Sequence, residues 1–132
     1  MRPYASQALA ASGRLELPGT AAKPLPLLMY SASGYFARVV ESAIEQSTQA
    51  LVGYRAFEAE MTDVLGDLAL QGMGIAWLPD SSFVSGRLAG LVAIGDGAWD
   101  IGVSIVAYRA RANGRAAVDR LWQRICAVRA LG

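Results

Sequence analysis

Between residues 25 and 79 the chain switches repeatedly between short apolar runs and longer stretches with helical spacing, and no other feature constrains its fold as much. "LPLLMY" (25–30) is a compact apolar run of buried-strand type. In "SASGYFARVVESAIEQ" (31–46), Phe36, Val39, Val40, Ala43 and Ile44 repeat at helical spacing, and Arg38, Glu41, Ser42 and Glu45 take the other face. "ALVGYRAFEAE" (50–60) alternates as a strand does, and "MTDVLGDLALQ" (61–71) returns to helical spacing through Met61, Val64, Leu65 and Leu68. "GIAWLP" (74–79) reads as a buried strand stopped by Pro79. The order strand–helix–strand–helix–strand predicts a small α/β sandwich with parallel strands.

The flanks carry weaker signals. "SQALAASGR" (6–14) reads as a short helix ended by Gly13, and "LELPGTAAKPLP" (15–26) as a Pro/Gly-punctuated connector. "DSSFVSGRLAG" (80–90) is a short helix or turn with Asp80 and Ser81 as caps. "LVAIG" (91–95) and "IGVSIVAYRAR" (101–111) read as two further strands around the turn "DGAWD". The end (114–132) is an amphipathic helix with Val118, Leu121, Trp122, Ile125 and Val128 on one side. Ser31 and Ser33 are candidate N-caps of the first long helix, and Thr62 of the second, with Asp63 favouring its positive end.

The glycine pair in "ALQGMGIAWLPD" raises the question of phosphate binding. A dinucleotide fingerprint needs G-x-G-x-x-G after a strand and opening a helix. Here Gly72 and Gly74 follow a helix and open a strand, and the third position is Trp77. No G-K-[ST] occurs anywhere, so a Walker A loop fails too. Gly72 is read as the left-handed residue that ends the helix.

Composition removes several classes of function. The 132 residues suit one domain. Histidine is absent, which removes Ser-His-Asp and Cys-His mechanisms and most zinc sites. The single cysteine, Cys126, allows no intrachain disulfide, and beside Ile125 it is expected to behave as a small buried hydrophobe. A net charge of +1 gives no reason to expect nucleic acid or an anionic membrane as partner. The arginines of the last quarter, with Arg120 and Arg124 four apart, read as a solvated face. No run approaches the roughly 18–20 apolar residues of a membrane span, and the start lacks a signal peptide's apolar region, so a cytoplasmic protein is expected. No cofactor and no metal site is expected.

The helix ending "ALQGMGIAWLPD", followed by "SSFVSGRLAGLVAI", resembles the effector-binding domain of LysR-type transcriptional regulators. In that family an apolar helix and a G-x-G-I turn lead to a short strand ending Leu-Pro. A Gly-x-Leu-x-x-Leu-Val ending follows, approximated here by Gly86, Leu88, Leu91 and Val92. "RPYASQALAASGRLELPG" and "PLPLLMY" look like the family's connector entering its second lobe. The resemblance implies a Rossmann-like three-layer sandwich with a mostly parallel sheet, one lobe of a type II periplasmic-binding-protein-like effector domain. It divides the chain into a connector (1–24), an α/β core (25–111) and a C-terminal helix (112–132), with Met1 near the crossing into the second lobe. It further implies a small inducer, a carboxylate, held in the cleft between lobes; Ser31, Ser33, Met61 and Thr62 are the matching positions. DNA would be read only by an N-terminal helix-turn-helix absent from these residues. Spacing with Val64 and Leu65 also allows Met61 to be core.

Two other readings stay open: a small α/β enzyme without histidine chemistry, and a stand-alone dimerisation module. Asp63, Asp67, Asp80, Asp96 and Asp100 fall at helix starts and turns where capping explains them, and Glu58 with Glu60 reads as a solvated strand face. No nucleophile–base pair is evident, so no catalytic residue is assigned. A homodimer is expected through Val118, Leu121, Trp122 and Ile125, because bare exposure of such a stripe is costly.

Overall fold

The computed structural model describes residues 1–112 and 114–129, with side chains through residue 127. Asn113, residues 130–132 of the expected C-terminal helix, and the side chain of Val128 fall outside what is described. Five strands form one sheet: β1 (Arg2–Ser6), β2 (Leu25–Tyr30), β3 (Gly53–Ala59), β4 (Ile75–Leu78) and β5 (Leu91–Ala93). Helices α1 (Gln7–Ala11), α2 (Tyr35–Gln46), α3 (Thr62–Leu70) and α4 (Ala116–Arg129) and one 3-10 turn (Asp80–Phe83) complete the fold.

The strand order is β3-β2-β4-β1-β5. β2 runs parallel to β3 and to β4, while β1 is antiparallel to both β4 and β5. The sheet is therefore mixed rather than mostly parallel. The difference arises at residues 2–6, within the stretch read as connector, which insert as a strand between β4 and β5. Its burial is high, with Tyr4 and Ala5 in the core, but five residues ending in Ser give too short a run for periodicity to register. Ser6 ends the strand and caps α1 by accepting the Leu9 N–H at 3.3 Å.

The chain passes outward from β2 to β3 and then back across β2 to β4. Right-handed crossovers in opposite directions put α2 and α3 on opposite faces of the sheet. α2 buries Ala37 and Val40, and α3 buries Leu65, Gly66 and Ala69. Gly66 costs helix propensity, but a Cβ there would meet the Leu88 side chain at 3.0 Å, so the vacancy admits buried Leu88. The core is centred on Leu25, Leu28, Tyr30, Ile75, Trp77 and Leu78 from adjacent β2 and β4. The Trp77 indole N–H donates to the Trp99 carbonyl at 3.0 Å, which satisfies its only polar atom inside the core.

The glycine pair, Gly72 and Gly74, turns a corner, as read. Gly72 sits just past the end of α3 with φ of 76°. Gly74 is buried against β2, where a Cβ would lie 2.5 Å from the Pro26 carbonyl oxygen.

Residues 101–111, expected as a strand, form no ladder: only Ile101 pairs, exchanging backbone bonds with Met1 at 2.7 and 2.8 Å. Beyond it Ile105 is 96% and Tyr108 89% exposed. α4 likewise packs substantially on no other described element. Leu121 (59%) and Ile125 (41%) are exposed, and Cys126 is exposed rather than buried. Within the single chain the apolar stripe is therefore left uncovered, since residues 102–111 add to neither edge strand of the sheet, β3 or β5. Arg109 links the two parts of this arm, pairing with Asp119 at 2.8 Å and lying 5.1 Å over the Trp122 ring.

Candidate functional site

β2 and β3 end side by side, with Tyr30 opposite Ala59 and the Ser31 N–H bonded to the Ala59 carbonyl at 3.1 Å. A parallel pair ending in register must send its following loops out at one edge. The loop 31–34 enters α2 there, and residues 60–61 enter α3. Two helix N-termini thus sit at the carboxyl edge of the sheet, next to the point where strand order reverses, the position where open α/β sheets take ligands. Each terminus offers N–H groups that the helix leaves unpaired, together with a partial positive charge.

Both termini lack a side-chain cap, contrary to expectation. The N-cap of α2 is Gly34, not Ser31 or Ser33, and that of α3 is Met61, not Thr62. The expected caps are engaged elsewhere. Ser31 accepts the Gly34 N–H on its carbonyl at 2.9 Å, forming the tight turn into α2. The Ser33 hydroxyl donates to a Glu60 carboxylate oxygen at 3.2 Å, linking the two loops. Thr62 is the first helical residue, and its hydroxyl lies 3.2 Å from the Tyr30 hydroxyl. Met61 is 62% exposed at the rim, so it is not core. The structure brings Ser31, Ser33, Met61 and Thr62 to one edge through these two loops.

Sequence reading missed Gly34, Glu60 and Tyr30. Glu60 lies just beyond β3 and turns to Ser33, while Glu58 pairs with Arg55 at 2.7 Å, so the two acids are not a couple. The strand end immediately before Met61 was the available signal for Glu60. Tyr30 is buried, and burial pushes its phenol pKa up, while the hydrogen bond with Thr62 opposes that shift. Tyr4, on the same edge, is raised by burial and by Asp80, which accepts its hydroxyl at 3.1 Å. Asp80 also meets Arg2 at 3.3 Å.

Residues 102–110 leave the sheet from this same edge, because Met1 stands beside the carboxyl end of β4, where Arg2 pairs with Leu78. The chain therefore enters and departs next to the two helix termini. No group of three or more potential metal ligands occurs among the described residues. No helix among them is long and apolar enough to cross a membrane.

A mixed five-stranded α/β lobe thus gathers two helix N-termini at the carboxyl edge of its sheet, the architecture of a regulatory-domain lobe. Residues 1–129 match the family model of the LysR substrate binding domain, and the chain belongs to that family. Its members are substrate-binding domains of transcriptional regulators, and the role is not catalytic. Among curated proteins, the HTH domain-truncated transcriptional regulator QseD of Escherichia coli O157:H7 is 29% identical over 101 residues, covering 76% of this chain and 41% of that protein. The HTH-type transcriptional regulator YjiE of Escherichia coli K12 is also 29% identical, over 76% of this chain and 33% of its own length. The chain thus spans well under half of these relatives. Among solved structures, VV2_1132, a LysR family transcriptional regulator, superposes with a TM-score of 0.77 at 30% identity, over 94% of this chain and 40% of that one. Vibrio fischeri DarR, solved in complex with DNA, gives 0.70 at 28% identity over 95% of this chain and 41% of its own.

Proposed function

We propose that these residues are a single effector-sensing lobe of a LysR-type transcriptional regulator, acting in the cytoplasm, and that they bind a small carboxylate against a second lobe. The carrying observation is the pair of uncapped helix N-termini at one sheet edge, tied together by Ser33 and Glu60. Their N–H groups and dipoles suit a carboxylate without any further cation. Glu60 on the same rim gives a partner to a ligand hydroxyl or amine, so a hydroxy or amino acid fits better than a plain diacid. Ser31, Ser33, Met61 and Thr62 supply the wall. DNA contact would fall to a helix-turn-helix outside these residues.

The test is a thermal-shift screen of small carboxylates beside their neutral amides. A ligand that binds only the folded state raises the midpoint. Stabilisation by acids and not by amides, abolished by Met61→Glu, is the expected result. Equal stabilisation by the amides would overturn the carboxylate reading.

We also propose self-association of the isolated chain through α4. The exposure of Leu121 and Ile125 on a helix that packs substantially on no other described element is the observation behind it. Val118 and Trp122, both half-buried, lie on the same helix.

A further inference from the structure

A second concavity lies at the opposite edge of the sheet, between the end of α1 and the start of β2. Its volume is about 340 Å³, and Leu9, Arg14, Leu15, Lys23, Pro24 and Pro26 line it. A smaller hollow of about 230 Å³ adjoins it and shares Arg14 and Lys23. We infer that the larger concavity is a second ligand site, for a small monoanion with an apolar body, a carboxylate above all, bound between Arg14 and Lys23 over the Leu9–Leu15–Pro26 floor.

Charge pairing is the first support. Arg2, Arg55, Arg87 and Arg109 each meet a carboxylate, whereas Arg14 and Lys23, like Arg38, make no ion pair among the described residues. Glu16 lines the smaller hollow without forming an ion pair with either cation. An arginine fork donates two parallel hydrogen bonds to a carboxylate, and a lysine adds a point charge. Below them, Leu9, Leu15 and Pro26 are half-buried and apolar, which matches the usual composition of small-molecule sites: mostly hydrophobic walls with few polar groups.

Fixed walls are the second support. The segment from Glu16 to Leu25 carries little regular structure, but its backbone is fastened at several points. The Gly19 N–H donates to the Glu16 carbonyl at 2.7 Å, and Thr20 and Lys23 exchange backbone bonds at 3.3 and 3.0 Å. The Val52 N–H reaches the Pro18 carbonyl at 2.8 Å, and the Leu25 N–H reaches Val52 at 3.0 Å. Gly19, with φ of 82°, comes so near Val52 that a Cβ would lie 2.4 Å from its carbonyl oxygen. A wall held this way binds without first being ordered.

The test follows backbone amide shifts of the isotope-labelled chain on titration with benzoate. Acetate (charge without body) and benzyl alcohol (body without charge) serve as controls. Benzoate is expected to shift the amides of Leu9, Arg14, Leu15 and Lys23, with acetate and benzyl alcohol doing so weakly. The double variant Arg14→Ala/Lys23→Ala should raise the benzoate Kd about tenfold, a loss typical of removing charge-assisted bonds. Its indole resonances of Trp77 and Trp99 should stay in place, showing an intact fold. The cleft variant Met61→Glu should leave these shifts unchanged, which separates this site from the carboxyl-edge one. Shifts confined to residues 31–62, equal shifts with acetate, or an unchanged Kd in the double variant would each overturn the proposal.

Discussion

The Tyr30 hydroxyl on β2 donates to the backbone carbonyl of Trp77 on β4 at 3.0 Å, across the middle of the sheet. With its one proton so placed, the Tyr30 oxygen is left to accept from the Thr62 hydroxyl, 3.2 Å away at the first residue of α3. One phenol thereby joins two strands to the entrance of a helix whose N-terminus forms half of the candidate site. Tyr30→Phe strips a buried carbonyl of its partner and should cost about 1–3 kcal/mol. Thr62→Ala removes only the outer bond and should cost roughly 1 kcal/mol. Chemical denaturation of both variants checks the order; a Thr62 variant the less stable of the two would contradict it.

The same burial sets an alkaline limit. Tyr30 has a folded-state pKa above the ordinary tyrosine value because its phenolate would be desolvated. Above about pH 10 the unfolded chain gives up this proton while the folded chain retains it, so stability falls as pH rises toward the folded pKa. Tyr4 acts with the same sign through its burial and Asp80. Stability measured against pH should drop more gently above pH ~10 in Tyr30→Phe than in the unmodified protein. An identical slope would mean that Tyr30 titrates normally.

The two glycines of the helix-to-strand corner have separate tasks. Gly72 is there for its backbone: at φ of 76°, alanine should cost about 1 kcal/mol. Gly74 is there for space, since its missing Cβ would strike the Pro26 carbonyl oxygen, and neither backbone can yield without disturbing β2 against β4. Gly74→Ala should therefore be the worse, by roughly 3 kcal/mol, near the upper end for overpacking. Equal thermal midpoints for the two variants would show that the close approach relaxes.

The alternation of apolar runs and amphipathic stretches located β2, α2, β3, α3 and β4 to within a few residues, because each buries one face on a continuous core and so bears its period in its sequence. β1 was illegible for the opposite reason: a strand that enters a sheet antiparallel to its neighbours is a long-range event, and "RPYAS" has no period of its own. Residues 101–111 show the converse error. Their alternation is a genuine strand pattern, yet no neighbour in this chain offers them a ladder. At the site, strand ends and loop positions were readable, whereas the hydroxyl partners were not. Ser33 faces Glu60 and Thr62 faces Tyr30 only because the loops cross at the sheet edge, and local capping rules are blind to that.

If the ligand edge is completed by a second lobe, this chain alone supplies part of the contacts. Calorimetry with acids that stabilise the isolated chain should then give dissociation constants in the high micromolar range or weaker, on the order of −5 kcal/mol or less in magnitude. Sub-micromolar binding by the 132 residues would contradict a divided site. Ser33→Ala should alter that binding little by itself, since its hydroxyl already serves Glu60 and a ligand must displace that bond to use it.

The arm formed by residues 102–112 and α4 sets the final expectation. Ile105, Val106, Tyr108, Leu121 and Ile125 are all exposed, and burying large side chains of this kind is worth about 1.5–3 kcal/mol each. The Arg109 guanidinium, held by Asp119 and stacked on Trp122, keeps the extended part and the helix together as one apolar surface. Two copies related by a two-fold axis can cover each other's arm without refolding either core. Light scattering at micromolar concentration should report a dimer. Trp122→Glu places a carboxylate beside Asp119 and removes the ring beneath Arg109, so that variant should be monomeric and still folded, with a thermal midpoint that no longer depends on protein concentration. A monomer in the unmodified chain would defeat the expectation, and a dimer persisting in the variant would move the interface away from α4.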